Sequence, residues 1–508
     1  MPRPRARWRE RVLLGMVLAI AAAGLVYELA MAAVASYVEG DSVTEFSIVI
    51  GVYLSALGLG AYLSRHVDRN LLLTFVDVEI ATALLGGLSA PGLFLAFGLS
   101  ASFRPVLLAV VAMVGTLVGI ELPLLMRILE RRLTFKELVA RALTVDYAGA
   151  LVGSLGFSLL LLPSVGLVRS SILCGLLNGT VALGCTWLLS DDPGERASLR
   201  RARLRIGAVL LVLSAAAVWA PKLVLTSESR LFGRILRSVD SPYQRILLVD
   251  RQGALELYLN GHLQFSSRDE RRYHEALVHP VLASVEHPRH VLIAGGGDGL
   301  ALREVLKWPR VEDVTLVDLD RNVTELARTD PAWVALNRRS MLDSRARIVN
   351  QDAFRWLATS TRQFDVILLD FPDPSTYGVG RLYTTALYHR ARARLTSDGA
   401  IGIQATSPVV TKKSFWTIVH TVEASGLHAR PYRVYLPSFG DWGFVVAKRH
   451  DFSTPHLPRS LQLHTLDSDI WADLFLMPAD TLAGRTPINR LDNQSLVRTY
   501  LTEASRLD

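Results

Sequence analysis

The chain has 508 residues, half of them hydrophobic, with a mean hydropathy of +0.29 and a formal net charge of +8. That apolar balance excludes an ordinary soluble enzyme. The basic excess gathers beside the apolar segments, so it reads as a membrane-topology signal rather than a nucleic-acid surface.

Seven apolar segments come first, at roughly 12–38, 43–64, 71–98, 105–126, 142–162, 167–189 and 206–225. About 20 apolar residues suffice to span a bilayer. The first segment is too long, and the set too numerous, for a cleaved signal peptide. Arg3, Arg5, Arg7, Arg9 and Arg11 precede the first segment, and Arg65 and Arg69 follow the second. Arg127, Arg131, Arg132 and Lys136 follow the fourth, and Arg196, Arg200, Arg201, Arg203 and Arg205 the sixth. The intervening loops are nearly free of Lys and Arg, and the first, Glu39-Gly40-Asp41, is acidic, which predicts a cytoplasmic N-terminus. The seventh segment is short and interrupted by Pro221-Lys222, and it is open to three interpretations: a span, a re-entrant piece or an interfacial helix. An odd number of crossings would put the remainder outside the cytoplasm. Glu28, Glu79, Glu121 and Asp146 lie in or near the ends of these segments, with no mid-span Lys or Arg to pair with them. Such acids either hold helices together or mark function. Both cysteines, Cys174 and Cys185, fall in the sixth segment, leaving the rest without a disulfide or a cysteine metal site.

Residues 226–280 alternate in strand fashion. Asp250-Arg251-Gln252-Gly253 and Asn260-Gly261 are turn signals, so a small β module is expected, closed by a helix over 271–285. From 286 to about 450 strands and helices alternate, predicting an α/β doubly wound domain with ligands at the carboxyl ends of its strands. Residues 451–508 form an amphipathic tail to which no chemistry is assigned. Gly295-Gly296-Gly297-Asp298-Gly299 lies between the strand 291–294 and a helix, the arrangement that cradles a nucleoside. A phosphate-binding turn would not carry Asp298, so the ligand is expected to be neutral or cationic there. Acids recur at successive strand ends: Asp298, Asp318, Asp352 and Asp370. Each could be a helix cap, but four in one sheet point to a site. Asp318 is spaced to bind ribose hydroxyls and Asp352 to accept from an adenine amino group, leaving Asp370 and Asp373 for the substrate.

In order, Tyr243-Gln244, Gln264 with Arg268-Asp269-Glu270, Tyr273-His274-Glu275, Gly295 to Gly299, Asp318, Asp352-Ala353 and Asp370-x-x-Asp373-Pro374 resemble the spermidine synthase family of aminopropyltransferases. Gly24-Leu25-Val26-Tyr27-Glu28 and Asp146-Tyr147-Ala148-Gly149-Ala150 resemble its membrane-bound bacterial branch. The resemblance implies a methyltransferase-like Rossmann domain that moves an aminopropyl group from decarboxylated S-adenosylmethionine to a diamine, typically putrescine, giving spermidine and 5′-methylthioadenosine. It implies Asp370 as general base. Gln244, Asp318, Asp352 and Ala353, with the turn glycines Gly295 and Gly297, would hold the nucleoside, and His274, Asp298 and Asp373 the amine or aminopropyl group. Asp298 would then repel the carboxylate of intact S-adenosylmethionine and accept the ammonium of the decarboxylated donor. The sulfonium is already a good leaving group, so no metal or resident cofactor is expected. Ala353 replaces a usual glycine, Phe439 a frequent tyrosine near the amine, and Phe371-Pro372 a small polar pair.

The expected organisation is therefore a transmembrane helical domain (1–225), a β module (226–285), a Rossmann-like catalytic domain (286–450) and a helical tail (451–508). The expected setting is the bacterial inner membrane, with the catalytic part cytoplasmic although seven crossings conflict with that. A homo-oligomer is implied by the resemblance, the expected partners are a small polyamine and the lipid bilayer, and no nucleic acid is expected. The competing functions are an S-adenosylmethionine-dependent methyltransferase, against which Asp298 and the Asp370–Asp373 motif argue, and a polyamine transporter or sensor whose soluble part binds without turnover. On the transport side, the four intramembrane acids would form a cation path.

Overall fold

A computed structural model describes residues 4–39, 42–99, 103–130, 135–188, 196–456 and 461–505. Arg3, Asp41 of the first loop and the basic pair Arg131 and Arg132 lie outside them. The chain divides into two compact units, Met1–Ile235 and Leu236–Asp508.

The first unit is helical. Among the described residues, five helices are long and apolar enough to cross a membrane, or six if the bent pair Leu71–Gly87 and Ser89–Gly98 counts as one span. One of the five, Val139–Leu188, has 50 residues and breaks at Gly166, whose φ of 77° and ψ of 175° leave the helix. On one side of that break Gly149 and Gly153 press on Leu18 and Ala22 of the first helix. On the other side Gly184 returns to Met16. The stretch therefore folds back into two passes, as the separate segments 142–162 and 167–189 predict. These helices are compatible with membrane association.

Two expectations change here. Pro221 does not interrupt the last apolar segment: it lies inside the helix Arg196–Phe232. In apolar surroundings a broken helix would leave several backbone groups unsatisfied, whereas proline removes one hydrogen bond. The expected domain boundary at 225 consequently falls within this helix, and the units divide at Ile235. Of the four acids, Glu79 and Glu121 are 0% and 2% exposed and none of their carboxylate oxygens has a hydrogen-bond partner.

The second unit opens with a four-stranded sheet, β1 (Arg234–Asp240), β2 (Arg245–Arg251), β3 (Ala254–Leu259) and β4 (His262–Ser266), paired in that order. The helix Glu270–Ala283 follows. The main sheet comprises β5 (His290–Gly295), β6 (Asp313–Asp318), β7 (Ala346–Asn350), β8 (Phe364–Asp370), β9 (Leu395–Gln404), β10 (His428–Leu436) and β11 (Gly440–Lys448). Its order is β10-β11-β9-β8-β5-β6-β7, with β9, β8, β5, β6 and β7 parallel and the last two strands antiparallel. Successive residues of β5 serve opposite faces. Val291 and Ile293 join the core formed with Leu277 and Val281 of the preceding helix, while Leu292 and Ala294 join Ile418 and Phe415 on the other side. Burial on both faces explains why β5 reads as a continuous apolar run. Because β6 and β8 flank β5, the chain leaves β5 at the point where strand order reverses, the position at which open α/β sheets hold their ligands.

Candidate active site

Gly295 ends β5 directly beside Asp370, the last residue of β8. At φ +85° a Cβ on Gly295 would collide with the Asp370 carbonyl oxygen. A Cβ on Gly297 would lie 2.6 Å from the Asp318 carboxylate, whose Oδ2 accepts the Gly297 N–H at 3.1 Å. The turn is thus built to admit carboxylates against its backbone. Asp318 Oδ1 accepts the Asp320 N–H at 2.9 Å, and burial, outweighing both hydrogen bonds, pushes its carboxyl up to about 6. Asp298 Oδ1 accepts the Leu300 N–H at 2.8 Å and so starts the helix Leu300–Val305. Trp333 Nε1 and Asn337 Nδ2 donate to its carbonyl at 3.0 and 3.3 Å. Burial raises the Asp298 carboxyl, against the neighbouring His274 charge.

His274 does not stand alone. Its Nδ1 lies 2.7 Å from the Glu270 carbonyl and 3.1 Å from Glu270 Oε2. Arg303 clasps both oxygens of Glu270 at 2.9 and 2.8 Å and donates its Nε to Glu304 at 2.9 Å. Burial alone would raise the Glu270 carboxyl, but hydrogen bonds from His274 and Arg303 bring it down to about 2. Burial disfavours a charged His274, yet the Glu270 bond and the Asp298 charge lift the ring to about 9. It is therefore an imidazolium at neutral pH, held by its own network and placed to offset Asp298 and Asp370.

Asp370 is held at one oxygen and open at the other. Tyr273 donates to its Oδ1 at 2.7 Å, whereas Oδ2 carries no hydrogen bond and faces Gly296. Burial and then the Asp298 charge raise its carboxyl to about 6. Asp373 accepts Gln404 Nε2 at 2.9 Å on Oδ1 and the Tyr500 hydroxyl at 2.7 Å on Oδ2, and burial brings it to about 6 as well. Between these acids, the Tyr383 hydroxyl lies 3.1 and 2.9 Å from the carbonyls of Phe371 and Pro372 and fixes their turn. Phe371 itself is buried in the core with its ring against Tyr383, so this departure is a packing change.

The residues expected on the nucleoside side are less uniformly free. Gln244 Nε2 donates to Asp320 Oδ2 at 3.0 Å, where Ser241 also donates at 2.6 Å. Asp352 caps the helix Ala353–Thr359 through the Phe354 N–H at 2.9 Å and pairs with Arg381 at 2.8 Å, while Ala353 is buried in its first turn. Asp352 is therefore a helix cap as well as a strand-end acid, with lone pairs remaining for a donor. Phe439 packs on Trp442, and the neighbouring Ser438 N–H is held by Asp269 at 2.6 Å. The sequence reading missed Asp320, Arg303, Gln404 and Tyr500. Asp320 stood two residues beyond a flagged acid, but nothing local marked Tyr500.

A spermine/spermidine synthase domain matches residues 270–455. A polyamine aminopropyltransferase of Ralstonia nicotianae is 46% identical over 98% of this chain and 96% of its own length. One of Leptospira interrogans is 42% identical over 97% and 98%, and one of Mycobacterium tuberculosis 37% over 98% and 96%. Among solved structures, a spermidine synthase in complex with the transition-state analogue AdoDATO aligns with a TM-score of 0.46 and 26% identity, over 49% of this chain and 86% of that one. With acids at four strand ends around a glycine turn, and with this likeness along nearly its whole length, the chain belongs to the polyamine aminopropyltransferase family.

Proposed function

We propose that the chain transfers the aminopropyl group of decarboxylated S-adenosylmethionine to putrescine, producing spermidine and 5′-methylthioadenosine. The observation that carries this is the open Asp370 Oδ2 beside the glycine turn, with Tyr273 holding the other oxygen. A protonated amine cannot attack until it loses a proton, and a carboxyl raised to about 6 is a better base than an ordinary aspartate. Asp370 Oδ2 takes that proton. The amine lone pair forms a C–N bond to the carbon next to the sulfonium, and the C–S electron pair departs with sulfur as a neutral thioether. Asp298 holds the donor's ammonium and Asp373 the distal ammonium of the acceptor, keeping the reacting atoms in line. Asp318, Asp352 and Ala353, with Gly295 and Gly297, hold the nucleoside, and Gln244 and His274 act by positioning Asp320 and by charge. Purified protein given the decarboxylated donor and a panel of diamines should release methylthioadenosine fastest with putrescine. A faster rate with a longer diamine or with spermidine would overturn the acceptor assignment, and turnover only with intact S-adenosylmethionine the donor assignment.

The helical unit is read as a multi-pass anchor in a bacterial inner membrane, and the β module as the contact of a homo-oligomer. The catalytic unit is placed in the cytoplasm, where the donor is made; labelling a cysteine introduced just after residue 236 from either side tests this. A second role, as a cation path, is favoured by the unpartnered, fully enclosed carboxylates of Glu79 and Glu121.

A further inference from the structure

The tail beyond residue 455 lies outside the matched family domain, yet it enters the site. Asn489 splices it in. Its buried side-chain amide donates to the carbonyls of Gly380 and Tyr383 at 3.1 Å each, and its Oδ1 accepts the Leu496 N–H at 3.2 Å. Its carbonyl accepts the Thr385 N–H at 3.1 Å and its own N–H donates to Thr421 Oγ1 at 2.9 Å. Apart from Leu496 of the tail itself, these partners lie in the run of short helices that follows Asp373 and in the helix Lys412–Glu423. The tail helix Ser495–Ala504 then places residues 497, 500 and 503 on one face, by the three-residue spacing of a helix. Val497 fills the space that Gly380 leaves by lacking a Cβ. The Glu503 carboxylate accepts the N–H groups of Lys413 and Ser414 at 2.8 and 2.9 Å and the Ser414 hydroxyl at 2.7 Å, a negative charge at a helix N-terminus. Pinned on both sides, Tyr500 has little freedom to move, and its hydroxyl donates to Asp373 Oδ2 at 2.7 Å.

Asp373 is thus gripped from two directions, by Gln404 at the end of β9 and by Tyr500 from a segment 127 residues further along the chain. Phe439, where the resemblance leads to the expectation of a tyrosine near the amine, offers no hydroxyl, and its ring is occupied with Trp442. We propose that Tyr500 is a positioning residue that sets specificity for the diamine acceptor, orienting Asp373 toward the distal ammonium and closing that end of the pocket with the tail. The inference rests on Asp373 lying at the acceptor site. A neutral hydroxyl suits this role because it fixes the carboxylate without neutralising it, leaving the negative charge for the ammonium. It also stabilises the ionised form of Asp373, against the burial that raises it.

The test is steady-state kinetics of the full-length protein with Tyr500→Phe, which keeps the ring and removes the hydroxyl. The KM for the diamine should rise about tenfold, as for loss of one hydrogen bond to a charged group, with kcat and the KM for the donor within about twofold of wild type. The acid limb of kcat/KM for the diamine should move to higher pH, because Asp373 loses a bond to its charged form. Tyr500→Gln, which restores a donor, should lie between the two, and it decides the matter if the phenylalanine variant proves unstable. An unchanged diamine KM overturns the inference, as does a parallel loss of kcat and both KM values, which would mark a purely structural tail. Asp373→Asn separates the two levels of the argument. If it raises the diamine KM while Tyr500→Phe does not, only the role of Tyr500 fails; if it leaves the diamine KM unchanged, the acceptor-site assignment fails.

Discussion

The two units bury acidic side chains in opposite ways. In the catalytic unit Glu270 is clasped by Arg303 and His274, Glu304 meets Arg303 and His279, and Glu275 accepts two backbone N–H groups and a hydroxyl at 2.6–2.8 Å. In the helical unit Glu79 and Glu121 are equally enclosed, and among the described residues no cation or well-aligned hydrogen-bond donor meets their carboxylate oxygens. A buried charge costs several kcal/mol unless it is paired. The catalytic unit meets that cost with fixed cations and N–H groups, and at the strand ends it leaves one oxygen of Asp370 and one of Asp298 without a hydrogen bond. The helical unit supplies no such fixed partner for these two carboxylates among the described residues.

The comparison can be broken first at Asp370. Asp370→Asn should lower kcat by roughly 10³-fold, the usual scale for a lost general base, with methylthioadenosine release as the measurement. A loss below tenfold would remove Asp370 as the base. Next, Glu270→Gln leaves Arg303 and a charged His274 short of their partner. It should cost about 3 kcal/mol or more, seen as a fall of roughly 10 °C in the melting midpoint of the catalytic unit.

A subtler effect is pH-dependent. Asp318, Asp370 and Asp373 are each raised to about 6, above the unfolded value of 3.8. Their protonated forms are favoured in the folded state, so the stability they contribute is present below 3.8 and is lost as pH rises through 6. Activity runs the other way, because Asp370 must be ionised, and kcat/KM should fall as pH drops through about 6. Asp373→Asn should therefore raise the melting midpoint at pH 7.5, and the gain should shrink as pH falls below 6. A gain independent of pH would contradict burial as the cause. The smallest expected effect lies in the helical unit. Glu79→Gln and Glu121→Gln should leave methylthioadenosine release within twofold while lowering polyamine flux into proteoliposomes. Unchanged flux in folded protein removes the cation path.

Much of the catalytic unit was legible because its signals are local. A doubly buried strand reads as an apolar run, and a turn that admits carboxylates against its backbone reads as glycines followed by acids. Asp298, Asp318, Asp370 and Asp373 could be picked out for that reason. Gln244 and His274 were found by resemblance; Asp320 was not assigned a role because a hydrogen bond across 76 residues leaves no periodic trace, whereas Glu270, four residues before His274 on the same helix, carried a readable spacing that was passed over. Asp352 carried two meanings, cap and site acid, that a single sequence cannot separate. In the helical unit, hydropathy located the seven apolar segments. It misjudged Pro221, because proline's effect depends on whether the neighbours can spare one backbone bond.

By itself, then, the sequence determined the division into an apolar helical part and an α/β part, the glycine turn at the end of β5 and the acids around it, since composition and short-range patterning encode burial and turns directly. Only the tertiary structure decided which acids are satisfied and which are open. It seated a protonated His274 between Glu270 and Asp298, enclosed Glu79 and Glu121 without fixed partners among the described residues, and returned Tyr500 from the tail to Asp373. Those outcomes depend on distance in space between residues far apart in the chain, and the free energy of a buried charge is set by that distance.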